Sequence, residues 1–232
     1  MLVKHFLPFI FLFFSVCGRS QSVALVPTLG VMGYEGDMAE IFVNPRELHV
    51  AGGVGLRYHL NKAFSVKPQI LIGKISGDDR HSIRNFRRQL RFEAQVFEAA
   101  VFLEYNLFHP YSKRYYGQVA APRLSCYLSG GIGFTLADAF VHTENAPVEA
   151  FKLPFPEPDD KAFFTTAIGG LSLLYRLTDR VGLGMQGSLH YVFSDYLDGL
   201  SQNGDPAFND WNIYLGLSLS VQLGEEVQCP GF

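Results

Sequence analysis

His190, Ser194 and Asp195 are the residues whose types and closeness in sequence could carry out a reaction. A histidine with a serine and a carboxylate can activate a hydroxyl for acyl transfer. On an extended strand, however, His190 and Ser194 stand about 13 Å apart, so their spacing alone does not join nucleophile to base. Cys126 and Cys229 are the only cysteines beyond residue 20, and no ligand spacing for a metal occurs. A phosphate-binding glycine loop and a nucleic-acid motif are also absent. Three sets of charged residues remain. Arg80, Arg84, Arg87, Arg88 and Arg91 crowd one polar stretch, where guanidinium groups suit phosphate. Tyr111, Tyr115 and Tyr116 interleave with Lys113, Arg114 and Arg123, and Tyr and Arg are the types enriched at binding hot spots. Arg57, Lys67, Glu98, Glu104 and Arg176 are scattered singly through apolar alternation.

The elements that must position these residues are strands. From Trp211 to Leu223, Trp211, Ile213, Leu215, Leu217, Leu219, Val221 and Leu223 are apolar, while the residues between them are polar or small. A period of two with one oily face is a strand, and its length suits a tilted membrane crossing of roughly 9 to 11 residues. The pattern recurs over 23–33, 50–60, 64–75, 93–107, 124–134, 163–177 and 181–193, giving eight strands. Pro27 and Pro68 each remove one ladder hydrogen bond, so a bulge or a lost bond is expected at both. Connections after the second and sixth strands are short, while those after the first, third, fifth and seventh are long, including a proline-rich acidic loop at 137–161. The segment 109–123 is the odd one out, long where its two counterparts are turns.

Charged and small residues share the inner face and apolar ones the outer, the reverse of a soluble lipocalin-type barrel. The fold class predicted is all-β: an eight-stranded antiparallel transmembrane barrel of outer-membrane type, its long loops external and both termini periplasmic. Arg57, Lys67, Glu98, Glu104 and Arg176 then face the lumen and are expected to pair, since lone buried charges cost several kcal/mol each. The barrel is too narrow for a diffusion pore. His190 becomes a lumen histidine below a solvated loop. Cys126 and Cys229 fall too far apart for the Cα separation of under about 7 Å that a disulfide needs.

The chain has 232 residues, 48% hydrophobic and 18% charged, with 23 glycines and 14% aromatics, a composition that fits crowded barrel interiors and interfacial girdles. Lys4, the apolar run Phe6 to Val16, then Gly18 and Ser20 have the layout of a secretory signal peptide over 1–20. Its removal leaves 17 cationic against 22 acidic residues, which does not favour nucleic acid as a partner. No small residue precedes Cys17 in the way lipidation requires. The expected organisation is the signal peptide, a barrel over 21–224 and a periplasmic tail over 225–232.

Several runs look like a known family: Gly73-Lys-Ile-Ser-Gly-Asp-Asp79, Leu103-Glu-Tyr-Asn-Leu-Phe108, Gly130-Gly-Ile-Gly133, Tyr34-Glu-Gly-Asp37 and Asp210-Trp211. In order and spacing they resemble the eight-stranded outer-membrane barrels grouped as a domain of unknown function, a family that includes the PorG component of the type IX secretion system. The resemblance implies a cell outer membrane protein, not an enzyme, that anchors or couples a periplasmic ring of PorK/PorN-like lipoproteins. The partner-binding surface expected on the periplasmic side is Tyr111, Lys113, Arg114, Tyr115, Tyr116 and Arg123, with Cys229 in the tail. The basic stretch Arg80 to Arg91 is the expected lipopolysaccharide contact, and no cofactor or metal is expected. Two alternatives stay open: a lipid A-modifying enzyme, and a passive structural or adhesin barrel.

Overall fold

The computed structural model describes residues 23–36, 45–81, 89–108, 114–115, 118–119, 123–142, 162–194, 197 and 209–223. Its strands are β1 (Val23–Glu35), β2 (His49–His59), β3 (Phe64–Asp78), β4 (Arg91–Asn106), β5 (Arg114–Tyr115), β6 (Gln118–Val119), β7 (Leu124–His142), β8 (Ala162–Arg176), β9 (Val181–Val192) and β10 (Trp211–Gln222). Eight of them close a barrel in the order β1, β10, β9, β8, β7, β4, β3, β2, and β5 pairs only with β6. All barrel neighbours are antiparallel, and β1 joins β10 to complete the circle, so the barrel has no free edge. No helix among the described residues is long and apolar enough to cross a membrane.

At one end, the turn end, side chains fix the short connections. The Asn61 carboxamide oxygen accepts from the N–H groups of Ala63 and Phe64, both at 2.8 Å. The Thr178 hydroxyl accepts from Val181 N–H at 3.0 Å. Both are local side-chain turns, the reason Asn and Thr sit there. At the opposite, loop end, buried carboxylates tie the longer connections down. Asp79 accepts from Leu90 N–H at 3.1 Å, and Asp210 accepts from Leu197 N–H at 2.9 Å and from the Tyr34 hydroxyl at 2.7 Å.

The prolines interrupt the sheet on one side only. β1 pairs continuously with β2 through Pro27, but its ladder with β10 skips Val26 and Pro27. β3 pairs through Pro68 with β4, and its ladder with β2 skips Lys67 and Pro68. Closure of the barrel brings Gly30 opposite Gly216. A Cβ on Gly30 would lie 2.0 Å from the Leu215 carbonyl oxygen, so only glycine permits the approach.

Outward residues form an apolar belt, among them Ile132, Leu217, Val50, Phe163, Ile72 and Leu183, with Leu217 68% exposed. One boundary differs markedly from the sequence reading. β7 runs on to His142, so 137–142 is strand rather than the start of a loop, pairing with β4 as far as Arg91. The alternation blurs there because Ala137, Ala139 and Val141 on the inward parity are apolar, while the outward parity mixes Asp138, Phe140 and His142. The expectation of a small and charged inner face holds for only part of the lumen. Toward the loop end it is filled by Met32, Tyr34, Leu71, Ile75, Phe92, Val96, Phe164 and Tyr214, and closed over by Leu90 and Leu197.

Candidate functional site

Period-two alternation on each strand stacks the inward side chains in layers along the barrel axis. Nearest the turn end lies an ionic layer. The Arg57 guanidinium grips Glu104 with two hydrogen bonds, 2.5 and 3.1 Å, and the Lys67 ammonium reaches the same carboxylate at 3.0 Å. Arg57 also stacks over the Tyr127 ring and Lys67 over that of Phe102, at 4.5 and 4.9 Å. All three charges are essentially removed from solvent. Two cations share one carboxylate and each also faces a ring, contacts that offset part of the cost of burying them.

Further toward the loop end, beyond Phe102 and Ala100 on β4, is a relay of hydrogen bonds. Ser188 lies 2.7 Å from His190 Nε2, His190 Nδ1 lies 2.8 Å from Glu98, Thr135 donates to Glu98 at 3.3 Å, and Thr166 lies 2.6 Å from Thr135. A carboxylate only accepts, so with Glu98 ionised Nδ1 donates to it, and with the imidazole neutral Nε2 accepts from the Ser188 hydroxyl. Glu98, His190, Thr135 and Thr166 are buried. Between the two layers is an internal cavity of about 10 Å³, lined by Lys67, Gln69, Phe102, Ser129, Ser172, Gln186 and Ser188 among others. That is room for about one water. The Ser172 hydroxyl, 7% exposed, lines it with no protein partner.

The five lumen charges expected to pair are therefore divided. Arg57, Lys67 and Glu104 meet; Glu98 serves the relay instead; Arg176, on the inward face of β8, lies close enough to influence His59. Of the trio His190, Ser194, Asp195, His190 bonds Ser188 of its own strand and Glu98 rather than Ser194, and Asp195 lies outside the described residues. The serine two residues back, not the one four ahead, reaches the imidazole. That signal was present in the alternation of β9. The carboxylate partner was not legible locally, since β4 and β9 are not neighbours in the sheet and Glu98 crosses the lumen to reach His190.

Outside the barrel near the loop end, Arg80 forks onto Asp78 at 2.6 and 3.0 Å, and these bonds push the guanidinium pKa further up. Arg91 and Lys74 both pair with Glu93. Arg84, Arg87 and Arg88 lie outside the described residues. At the turn end, Arg123 is exposed and its carbonyl accepts from Arg176 N–H at 2.7 Å. The connection from β4 to β7 contains the hairpin β5–β6, with Arg114 opposite Val119 and Tyr115 opposite Gln118. Tyr111, Lys113, Tyr116 and Cys229 lie outside the described residues, as does the 1–20 segment, and Cys126 is half-buried. Among the described residues no cluster of three or more metal-ligating side chains occurs.

A closed eight-stranded antiparallel barrel with an apolar belt outside and a layered, side-chain-filled interior defines the class: an outer-membrane-type β-barrel. Residues 4–230 match the family described as a domain of unknown function (DUF6089), and the chain belongs to that family. Among solved structures it is similar in fold to Neisserial surface protein A, with a TM-score of 0.52 and 9% identity over 88% of this chain and 100% of that one. Ail, the attachment invasion locus protein of Yersinia pestis, in complex with the heparin analogue sucrose octasulfate, matches with a TM-score of 0.48 at 9% identity, over 88% and 100%. A major outer membrane protein from Thermus thermophilus matches with a TM-score of 0.47 at 10% identity, over 88% and 100%. A search of curated proteins found no match.

Proposed function

We propose that this protein is an integral outer-membrane barrel of the type IX protein secretion system, coupling a periplasmic PorK/PorN-like lipoprotein ring to the membrane through its turn end. The observation that carries this reading is the connection between β4 and β7. Residues 60–63 and 177–180 suffice to join β2 to β3 and β8 to β9, whereas 107–123 holds a hairpin of its own. Spanning the membrane does not require that length, and connections longer than needed are commonly functional. The sealed lumen favours an anchor over a channel, since Leu90, Leu197 and the ionic layer leave no open passage among the described residues.

In this reading the turn end and both termini are periplasmic, and Arg114, Tyr115, Tyr116 and the tail around Cys229 meet the ring. Lipopolysaccharide surrounds the loop end, where the arginines from Arg80 to Arg91 meet its phosphates. Arg80 and Arg91 are already paired with carboxylates, which supports a modest contact from these two. The test is co-purification from detergent-solubilised membranes with Arg114→Glu and Tyr116→Ala combined. The variant is expected to insert normally and lose its lipoprotein partner. Retention of that partner at wild-type stoichiometry moves the docking role to another surface.

A further inference from the structure

We infer that Arg123 and Arg180 form a lipid-headgroup site at the turn end of β8, taking the phosphate of an anionic glycerophospholipid. Three observations converge. The first is level. Leu124, Tyr175 and Leu183 stand in register across β7, β8 and β9, and all three are exposed on the outer wall at the turn-end rim of the belt. Tyrosine suits that height, with its ring among acyl chains and its hydroxyl among headgroups. Arg123 directly precedes Leu124, and Arg180 lies in the turn that follows the exposed Leu177, so both cations leave the wall where the phosphates of a bilayer lie. The second is placement. The Arg123 carbonyl accepts from Arg176 N–H at the end of β8 at 2.7 Å, and the Arg180 carbonyl accepts from Gln222 N–H of β10 at 2.8 Å. Both backbones are thus fixed while both side chains are exposed.

Standing on either side of β8, the two arginines are separated by about two strand spacings, on the order of 10 Å. Side chains as long as arginine close that distance onto one phosphate diester, which each guanidinium meets with paired N–H donors. The third observation is the state of the charges. At the loop end Lys74, Arg80 and Arg91 are each bonded to a carboxylate. Neither Arg123 nor Arg180 enters an ion pair, even though Asp179 adjoins Arg180. One end of the barrel neutralises its rim cations from within, and the other offers them to an anion from outside. Because they flank side chains that face acyl chains, the anion they meet first is a headgroup rather than an acidic protein face. The phosphate of a zwitterionic lipid carries its own cation, whereas that of phosphatidylglycerol does not, so the site selects anionic headgroups. Arg123 thereby leaves the ring-docking surface expected from the sequence, and the inference does not rest on the ring-coupling reading.

The test uses the full chain with its three cysteines replaced by Ala, folded into phosphatidylcholine vesicles and verified by heat-modifiable gel mobility. A fluorophore on Leu183→Cys reports the lipid beside the site, and one on Ile72→Cys reports the outer wall near the loop end. Quenching by nitroxide-labelled phosphatidylglycerol, against equally labelled phosphatidylcholine, gives the relative association at each position. An interfacial cation contributes about fivefold to attraction by anionic lipid, so the preference for phosphatidylglycerol at Leu183→Cys is expected to reach about tenfold or more at low salt. It is expected to shrink as salt rises, and to stay within about twofold at Ile72→Cys. Arg123→Gln combined with Arg180→Gln is expected to abolish the preference without changing the folded mobility, and the corresponding pair of lysines to keep part of it. Equal association of the two lipids at Leu183→Cys overturns the inference, as does a preference that survives the double glutamine variant or is equally strong at Ile72→Cys. Inorganic phosphate that erases the preference, where chloride of equal ionic strength does not, would make this a site for free phosphate and overturn the lipid assignment. Co-purification separates the two readings: the double glutamine variant is expected to keep its lipoprotein partner. Loss of that partner from a normally inserted barrel would return these arginines to protein docking.

Discussion

The two halves of the barrel interior are built on opposite rules. Toward the loop end the lumen is oil: Phe92, Tyr34, Leu71, Ile75, Phe164 and Tyr214 pack together, with Phe92 against Tyr34 edge to face at 4.7 Å. Toward the turn end it is charge and hydrogen bonds, centred on Glu104. The difference follows the solvent outside the wall. Alongside the belt, outward residues such as Val101, Ile132 and Leu217 are apolar and the inner face takes the polar groups. Above it, where β3, β4 and β7 run past the belt, Lys74, Glu93, Gln95 and Asp138 join Phe140 on the outer face, and apolar residues fill the inner one. One continuous sheet thus changes from a membrane barrel to a water-soluble one along its length, because each section puts its apolar residues where water is absent.

Substitutions on either side break or sharpen this contrast. The largest expected effects are inside. Glu104→Leu leaves Arg57 and Lys67 buried without their carboxylate and is expected to cost about 3 to 5 kcal/mol in equilibrium unfolding of the refolded barrel. Replacing all three by apolar residues of similar size should recover most of that loss, because no uncompensated charge then remains. Phe92→Ala, in the other half, is expected to cost about 3 to 5 kcal/mol through the cavity it opens. A loss under about 1 kcal/mol there would mean that the loop-end lumen is not a packed core.

On the outer wall, Leu217→Arg is expected to cost about 2 to 4 kcal/mol, and its inward neighbour Ser218→Asn much less, read by insertion yield and heat-modifiable mobility. Equal tolerance at the two positions would break the register of β10. Smallest of all, Lys74→Gln removes an ion pair with Glu93 that is 42% exposed on the lysine side, and should change stability by less than about 1 kcal/mol. A loss comparable to that of Leu217→Arg would place Lys74 within the belt rather than above it.

The strands were legible in the sequence wherever the membrane dictates the alternation. Trp211 to Leu223 reads as a strand at sight, and β4 alternates as expected from Phe97 to Tyr105. The strand extension from Ala137 to His142 was hidden because polarity inverts there while the backbone does not change. Within the site, the inward positions of Arg57, Lys67, Glu98, Glu104 and His190 followed from parity alone. Which charges meet did not. Glu98 faces His190 across the lumen, and that choice depends on how the eight strands stagger when the sheet closes, which no local pattern encodes. Ser188 was legible by the same parity rule as His190, but Ser194, nearer to a carboxylate in sequence, drew the expectation away from it.

Orientation is the point on which the proposed coupling role turns, and two described, exposed arginines report on it: Arg80 at the loop end and Arg180 at the turn end. With Cys17, Cys126 and Cys229 replaced by Ala, Arg80→Cys and Arg180→Cys would each be exposed in intact cells to a maleimide that cannot cross the outer membrane. Labelling of Arg80→Cys at once, and of Arg180→Cys only after the outer membrane is permeabilised, is the expected result. The reverse pattern would put the turn end and its hairpin outside the cell, and a periplasmic ring could not dock there.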